Sequence, residues 1–230
     1  MIDDIIKEIA ALFPSKIIHI GGDEVNFSIW KECPHCQALM KEKGIKSEPE
    51  LQNYFMERVG KIIKKYGKNM AGWDEIVAVN DLPDNSIAYA WNSAKKGKEA
   101  AAKGINVVTQ VCQYLYFDMK YTPIERGHNW ASVISSEKAY SFDPISTLGV
   151  TKDEEKYILG PQSGLWCELL NRPARFLEYQ TWPRNAALAE IGWTNQSLRK
   201  WEDFNKRLSK KHYERMFNMG IAFRVPYPSV

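Results

Sequence analysis

Apolar and polar positions fall into two patterns that alternate along the chain. Ile2, Ile5, Ile6, Ile9, Ala10 and Phe13 recur at helical spacing and Pro14 closes the run, which predicts an opening helix. Residues 16–20 are instead a short β-branched stretch ending in Gly21–Gly22, the pattern of a buried strand. A second helix is predicted over 47–66, capped by Ser47, with Pro49 in its first turn and Leu51, Phe55, Val59, Ile62 and Ile63 on one face. Further strands are predicted at 69–73, 87–91, 106–111 and 164–168, and a helix at 95–103 ended by Gly104. A long helix over 175–193 and an amphipathic one over 201–220 complete the pattern. Residues 26–46 read as a polar loop with a short helix near 37–43. The aromatic stretch between Val111 and Gly160 reads as a long loop of the kind that usually carries function.

Strands alternating with helices imply parallel βαβ units. Neither GxGxxG nor GxxxxGK[ST] occurs, so a nucleotide-binding sheet has no support. A (β/α) barrel fits better, but such barrels use eight strands in roughly 250 residues. Five are legible here. The expectation is an α/β fold, a partial (β/α)8 TIM barrel comprising approximately strands 4–8 with their helices, as a single domain over 1–230.

Charge narrows the partners. The net +3 comes from 31 basic and 28 acidic residues spread along the chain, with no basic block to attract nucleic acid or an anionic membrane. No apolar run approaches the roughly 18 residues that span a bilayer. Met1–Asp4 leads straight into the first helix with no signal-peptide pattern, which leaves localisation open. Cysteines stand at 33, 36, 112 and 167, and no second CxxC completes a zinc set with Cys33 and Cys36. No metal site or cofactor is expected. The pair reads as a loop CxxC without catalytic role, with a local disulfide or a site shared with another ligand as alternatives.

Candidate chemistry gathers at the C-terminal ends of the predicted strands, the face where barrels build active sites. The first supplies His19, Asp23 and Glu24, the second Trp73, Asp74 and Glu75, and the third Trp91. The fourth, after a short extension, supplies Tyr116 and Asp118, and the fifth Trp166 and Glu168. Eight tryptophans scattered through a core would not repeat at strand ends, so the pattern favours a sugar pocket. On a regular strand Asp23 and Glu24 would point to opposite faces, whereas Gly21–Gly22 lets the chain leave β geometry and turn both towards one ligand.

The chain resembles the catalytic domain of glycoside hydrolase family 20, the β-N-acetylhexosaminidases. The resemblance rests on FPSKIIHIGGDEV (13–25), GWDE (72–75), AWN (90–92), YFDMKY (116–121), HNWAS (128–132), YSFDP (140–144), GLWCE (164–168) and WPRNAALAEIGW (182–193). It implies an exo-acting enzyme that removes terminal N-acetylglucosamine or N-acetylgalactosamine by substrate-assisted retention through an oxazolinium ion. Glu24 is then the acid/base, Asp23 orients the 2-acetamido group, and Tyr116 holds its carbonyl oxygen. Trp166 would floor the sugar ring and Trp73 and Trp91 would enclose the acetamido methyl. Asp118 and Glu168 would bind hydroxyls at the far end. His19 is expected to support the strand end, Asp74 and Glu75 to stabilise loops, Trp130 to line an outer subsite, and Trp182 and Trp193 to pack in the core.

The resemblance also implies upstream elements, including an arginine on the sugar hydroxyls, which would precede Met1, and a parent that is periplasmic or secreted if bacterial. The expected partner is an N-acetylhexosamine-terminated glycan. A truncated, non-catalytic carbohydrate-binding remnant is the alternative, and a disaccharide-releasing relative a further one. The open edges of a five-strand piece predict self-association or marginal folding.

Overall fold

A computed structural model describes residues 1–166, 168 and 172–225. Among the described residues five parallel strands form one sheet in the order β1-β2-β3-β4-β5. They are β1 (Ile17–His19), β2 (Asn69–Trp73), β3 (Ile87–Ala90), β4 (Asn106–Thr109) and β5 (Ile158–Pro161). Purely parallel, sequential pairing with helices between the strands is the arrangement of one arc of a (β/α) barrel.

The register separates two faces. Met70, Ala88, Ala90 and Val107 point to the helical layer, are fully buried, and pack with Met56, Val59 and Ile63 of the helix Glu48–Lys65 and with Ala100 and Ala101 of the helix Ala94–Ala102. Burying each large apolar side chain in this layer contributes about 1.5–3 kcal/mol. The opposite face carries Ile17, His19, Trp73, Tyr89 and Val108, aligned by the pairings His19↔Ala71, Trp73↔Tyr89 and Tyr89↔Val108. These side chains remain half-buried or exposed. The inner face is therefore covered at Ala71 and Ile87 but open towards Ile17 and His19, and among the described residues β1 and β5 each pair on one side only.

Local signals account for most of the elements. Ser47 caps the helix Glu48–Lys65 by accepting from the Glu50 amide at 3.4 Å, with Pro49 in the first turn and Lys64 and Lys65 in the last. The opening helix spans Ile2–Leu12 and buries only Ile6, leaving Ile5 and Phe13 exposed. Phe55 is likewise half exposed, while its neighbour Gln52 is buried.

Four sequence expectations need correction. The fifth strand is Ile158–Pro161, not 164–168, where Gly164 makes one isolated parallel bridge to Tyr116 and Cys167 lies outside the described residues. Gly160 and Pro161 disguise the strand, and an edge position tolerates the missing proline donor. The helix over 175–193 is two helices, Ala174–Thr181 and Arg184–Trp193, broken at the cis Trp182–Pro183 bond. Residues 26–46 contain two helices, Ser28–Glu32 and Pro34–Lys43. Trp193 is 93% exposed, because the helix meets the core through Ile191 and Leu188 and turns its last residue outward.

Candidate active site

The end of β1 sets the site. Gly21 and Gly22 adopt φ of 74° and 118°, and Glu24 follows at 51°, a left-handed conformation that costs a non-glycine residue about 1–3 kcal/mol. The chain leaves the sheet here because β2 leaves room for it. A Cβ on Gly72 would stand 2.4 Å from Ile76 Cγ2 and 3.0 Å from the Gly21 carbonyl oxygen. That carbonyl accepts from the Trp73 amide at 3.0 Å, and the Gly22 carbonyl accepts from Gln52 Nε2 at 2.5 Å. Both peptides of the turn are thus anchored, and Asp23 and Glu24 emerge exposed beyond it.

His19 buttresses the turn. Its Nδ1 accepts from the Gly21 amide at 3.1 Å, and its ring meets Trp73 and Tyr89 edge-on, each at 4.8 Å between centroids. One side of the residue stays open to solvent, but the flanking rings desolvate the imidazole and lower its pKa, against the raising effect of Asp23. A neutral ring with Nδ1 as acceptor supports the strand end.

An arc of aromatic rings continues from there. Trp73 meets Trp166 at 5.6 Å, and Trp166 meets Tyr116 at 5.4 Å. Tyr116 stacks on Trp91 at 6.3 Å with planes 13° apart, and Trp130 closes on Tyr116 edge-on at 5.8 Å. Tyr116 is locked by its bridge to Gly164, where a Cβ would meet Gln110 Nε2 at 2.8 Å. Burial, reinforced by the charges of Asp118, Asp74 and Asp23, pushes the Tyr116 phenol far above its ordinary pKa. It stays a neutral donor.

Carboxylates line the arc. Trp91 Nε1 donates to Glu75 Oε2 at 3.4 Å, and the Asn92 amide donates to the buried Asp74 at 3.1 Å. Burial raises the pKa of both acids, with these hydrogen bonds opposing. Asp118 is 1% exposed and raised chiefly by burial, with the nearby charge of Glu168 adding to it and His128 and Arg184 opposing. Asp118 Oδ1 and Trp166 Nε1 are buried and without a hydrogen-bond partner among the described residues. Unsatisfied groups of this kind call for a polar ligand or water. A groove of about 860 Å³ lined by Trp182, Glu190, Trp193 and Phe204 lies elsewhere and gathers no comparable chemistry.

Seven of the eight sequence-predicted residues are thus linked by ring contacts or charge, and Glu24 is placed by its chain neighbour Asp23 alone. Asp23, Trp73, Trp91, Tyr116 and Trp166 are joined by ring contacts or electrostatic coupling, Asp118 acts on Tyr116 and is itself raised by the like charge of Glu168, and Glu24 stands exposed beside Asp23.

The sequence profile of the glycosyl hydrolase family 20 catalytic domain matches residues 1–196. The chain belongs to glycosyl hydrolase family 20. A β-hexosaminidase from Vibrio furnissii is 39% identical over 193 residues, covering 83% of this chain and 31% of that protein. The β subunit of β-hexosaminidase from Homo sapiens is 30% identical over 226 residues, covering 96% and 38%. The solved family 20 exo β-N-acetylglucosaminidase from Vibrio harveyi, in complex with N-acetylglucosamine, superposes with a TM-score of 0.89 at 38% identity, covering 99% of this chain and 36% of that one. The chain spans about a third of the length of these relatives.

Within this family 20 domain, one organiser escaped the sequence reading. Arg184 is fully buried and donates to the carbonyls of Phe117, Met119, Ile134 and Gln180 at 2.5–3.1 Å. Its guanidinium carbon lies 3.8 Å from the Tyr121 ring centre and 4.8 Å from that of Phe117. It therefore ties down the loop that carries Asp118 and Trp130. A lone cation opening the apolar run RNAALAEIGW was the available signal.

Proposed function

We propose that the protein carrying this chain is an exo-acting β-N-acetylhexosaminidase, which releases terminal N-acetylglucosamine or N-acetylgalactosamine from glycans by substrate-assisted retention. The observation that carries the reading is the Asp23–Glu24 pair, thrown out of the strand by Gly21, Gly22 and the left-handed Glu24, at one end of an arc of indoles with unsatisfied polar atoms. The β-hexosaminidases named above support it.

Glu24 gives its proton to the glycosidic oxygen and later takes one from water. Asp23 accepts from the acetamido N–H and stabilises positive charge there as the acetamido oxygen attacks C1, so no enzyme nucleophile is required. Tyr116, kept neutral by burial, donates to that oxygen. Trp166 floors the ring, Trp73 and Trp91 enclose the methyl group, and Asp118 and Glu168 take the far hydroxyls. Residues 1–230 act as one unit of a barrel whose remaining strands pair with the free edges of β1 and β5.

The test uses the full-length protein and an aryl N-acetylglucosaminide. Glu24→Gln is expected to lower kcat by about 10²–10⁴, Asp23→Asn to lower it as well, and an aryl glucoside without the acetamido group to resist the parent enzyme. Turnover retained by Glu24→Gln, or equal cleavage of the two sugars, overturns the mechanism. The partly open inner face favours a second reading, a non-catalytic sugar-binding remnant; near-native hydrolysis by the 230-residue chain alone would exclude it.

A further inference from the structure

The CPHC segment at 33–36 takes no part in the sugar site. Cys33 ends the helix Ser28–Glu32, its amide donating to the Ile29 carbonyl at 3.0 Å, and it is also the N-cap of the helix Pro34–Lys43, its carbonyl accepting from the Gln37 amide at 3.0 Å. Cys36 is therefore the third residue of that helix. The N-cap and third residues are the pair whose side chains turn back over each other at a helix start. Gln37 Nε2 adds a bond to the Trp30 carbonyl at 2.9 Å, so the junction between the two helices is already closed. Side chains in this relation come close enough to bond across the helix start, and a disulfide asks for Cβ atoms about 3.5–4.5 Å apart.

The two sulfurs are partly exposed, reduced and unlike each other. The amides of Cys36 and His35 and the Cys36 thiol face the Cys33 sulfur and hold its pKa below the ordinary thiol value, while the same contact raises that of Cys36. Cys33 makes no formed capping hydrogen bond, so the amides act on it through their field. Cys112 contrasts with both: it is buried, and its thiol is pushed up to about 11.

We propose that Cys33 and Cys36 are a redox-active dithiol, reversibly oxidised to an internal disulfide by exchange with a low-molecular-weight disulfide such as oxidised glutathione. The Cys33 thiolate attacks one sulfur of the external disulfide and releases a first thiolate, leaving a mixed disulfide on Cys33. Cys36 then loses its proton to solvent and attacks the Cys33 sulfur, releasing the second. Two protein thiols are oxidised and one disulfide is reduced to two thiols. The pair modifies the chain without touching the rim that holds Asp23, Tyr116 and Trp166, and the inference does not depend on the function proposed above.

Graded glutathione redox buffers, followed by alkylation and peptide mapping of the native full-length protein that carries this chain, test it. Cys33 and Cys36 should lose alkylation together as the buffer becomes oxidising and recover it in excess reduced glutathione. At neutral pH Cys33 should alkylate about tenfold faster than Cys36, as a favoured thiolate does, and the difference should vanish in denaturant. Cys36→Ser should trap Cys33 as the glutathione mixed disulfide, and Cys33→Ser should leave Cys36 unmodified. A pair that stays reduced in oxidising buffer, native rates equal to denatured ones, or pairing of Cys33 with Cys112 or Cys167 overturns the proposal.

Discussion

The guanidinium carbon of Arg184 sits 3.8 Å from the centre of the Tyr121 ring, and the Tyr121 hydroxyl in turn donates to the Trp182 carbonyl at 2.9 Å. The stack joins the loop after β4 to the helix pair that follows β5. Burial lowers the Arg184 pKa to about 10, which leaves it charged at neutral pH. With four backbone carbonyls around it, the cation substitutes for the water those carbonyls lost.

Arg184→Lys is expected to destabilise the chain by about 3 kcal/mol or more, since a lysine is a point donor that cannot span the fork and would strand buried carbonyls. Urea unfolding of the variant against the parent measures it. A loss within about 0.5 kcal/mol, the range of an ordinary surface change, would mean that the loop holds itself together without this residue.

Asp118 exchanges stability for readiness to bind. Burial raises its pKa in the folded chain, so the folded state holds the proton more tightly than the unfolded one. Its contribution is full below the unfolded carboxyl value and is lost as pH rises through the folded one. Asp118→Asn should therefore unfold at a higher temperature than the parent at pH 7, with the gap closing in acid, while sugar affinity in the full-length protein falls. Thermal unfolding from pH 4 to pH 8 reads the first effect, and a variant less stable than the parent at pH 7 would contradict this account of Asp118.

The free edges and partly open inner face predict association of the 230-residue chain with itself. Ile17 and Leu159 on the edge strands are 39% and 55% exposed, and Trp193 is 93% exposed. Sedimentation velocity over a range of concentration should show reversible oligomers, reduced by the double substitution Leu159→Ser, Trp193→Ser. A compact monomer at every concentration would refute the expectation.

Legibility followed the range of the forces involved. β1, β2, β3 and β4 could be read because β-branched or small apolar runs between helices announce parallel strands, and Ser47 and Pro49 announce the helix they open. β5 could not, because Gly160 and Pro161 violate strand propensity at an edge where the sheet does not need their donors. The strand-end rule reached only part of the rim: Asp23, Trp73 and Trp91 follow β1, β2 and β3, whereas Tyr116 and Trp166 lie in the segments beyond β4 and β5, and the expected strand over 164–168 reduces to one bridge at Gly164. The Arg184 clasp was not, since its acceptors are carbonyls, and carbonyls carry no signature in a sequence. Trp193 misled because amphipathic spacing does not say whether a neighbouring element is there to receive the side chain.

The ring contacts running from Trp73 through Trp166 and Tyr116 to Trp91 and Trp130, none longer than 6.3 Å, also give the chain an optical character. Tyr116 is expected to pass its excitation to the indoles around it, and Trp73 and Trp166, in direct contact, to share theirs. A pyranose laid on Trp166 would change the polarity felt by the whole group, and its arrival would register in the emission spectrum with no bond being broken.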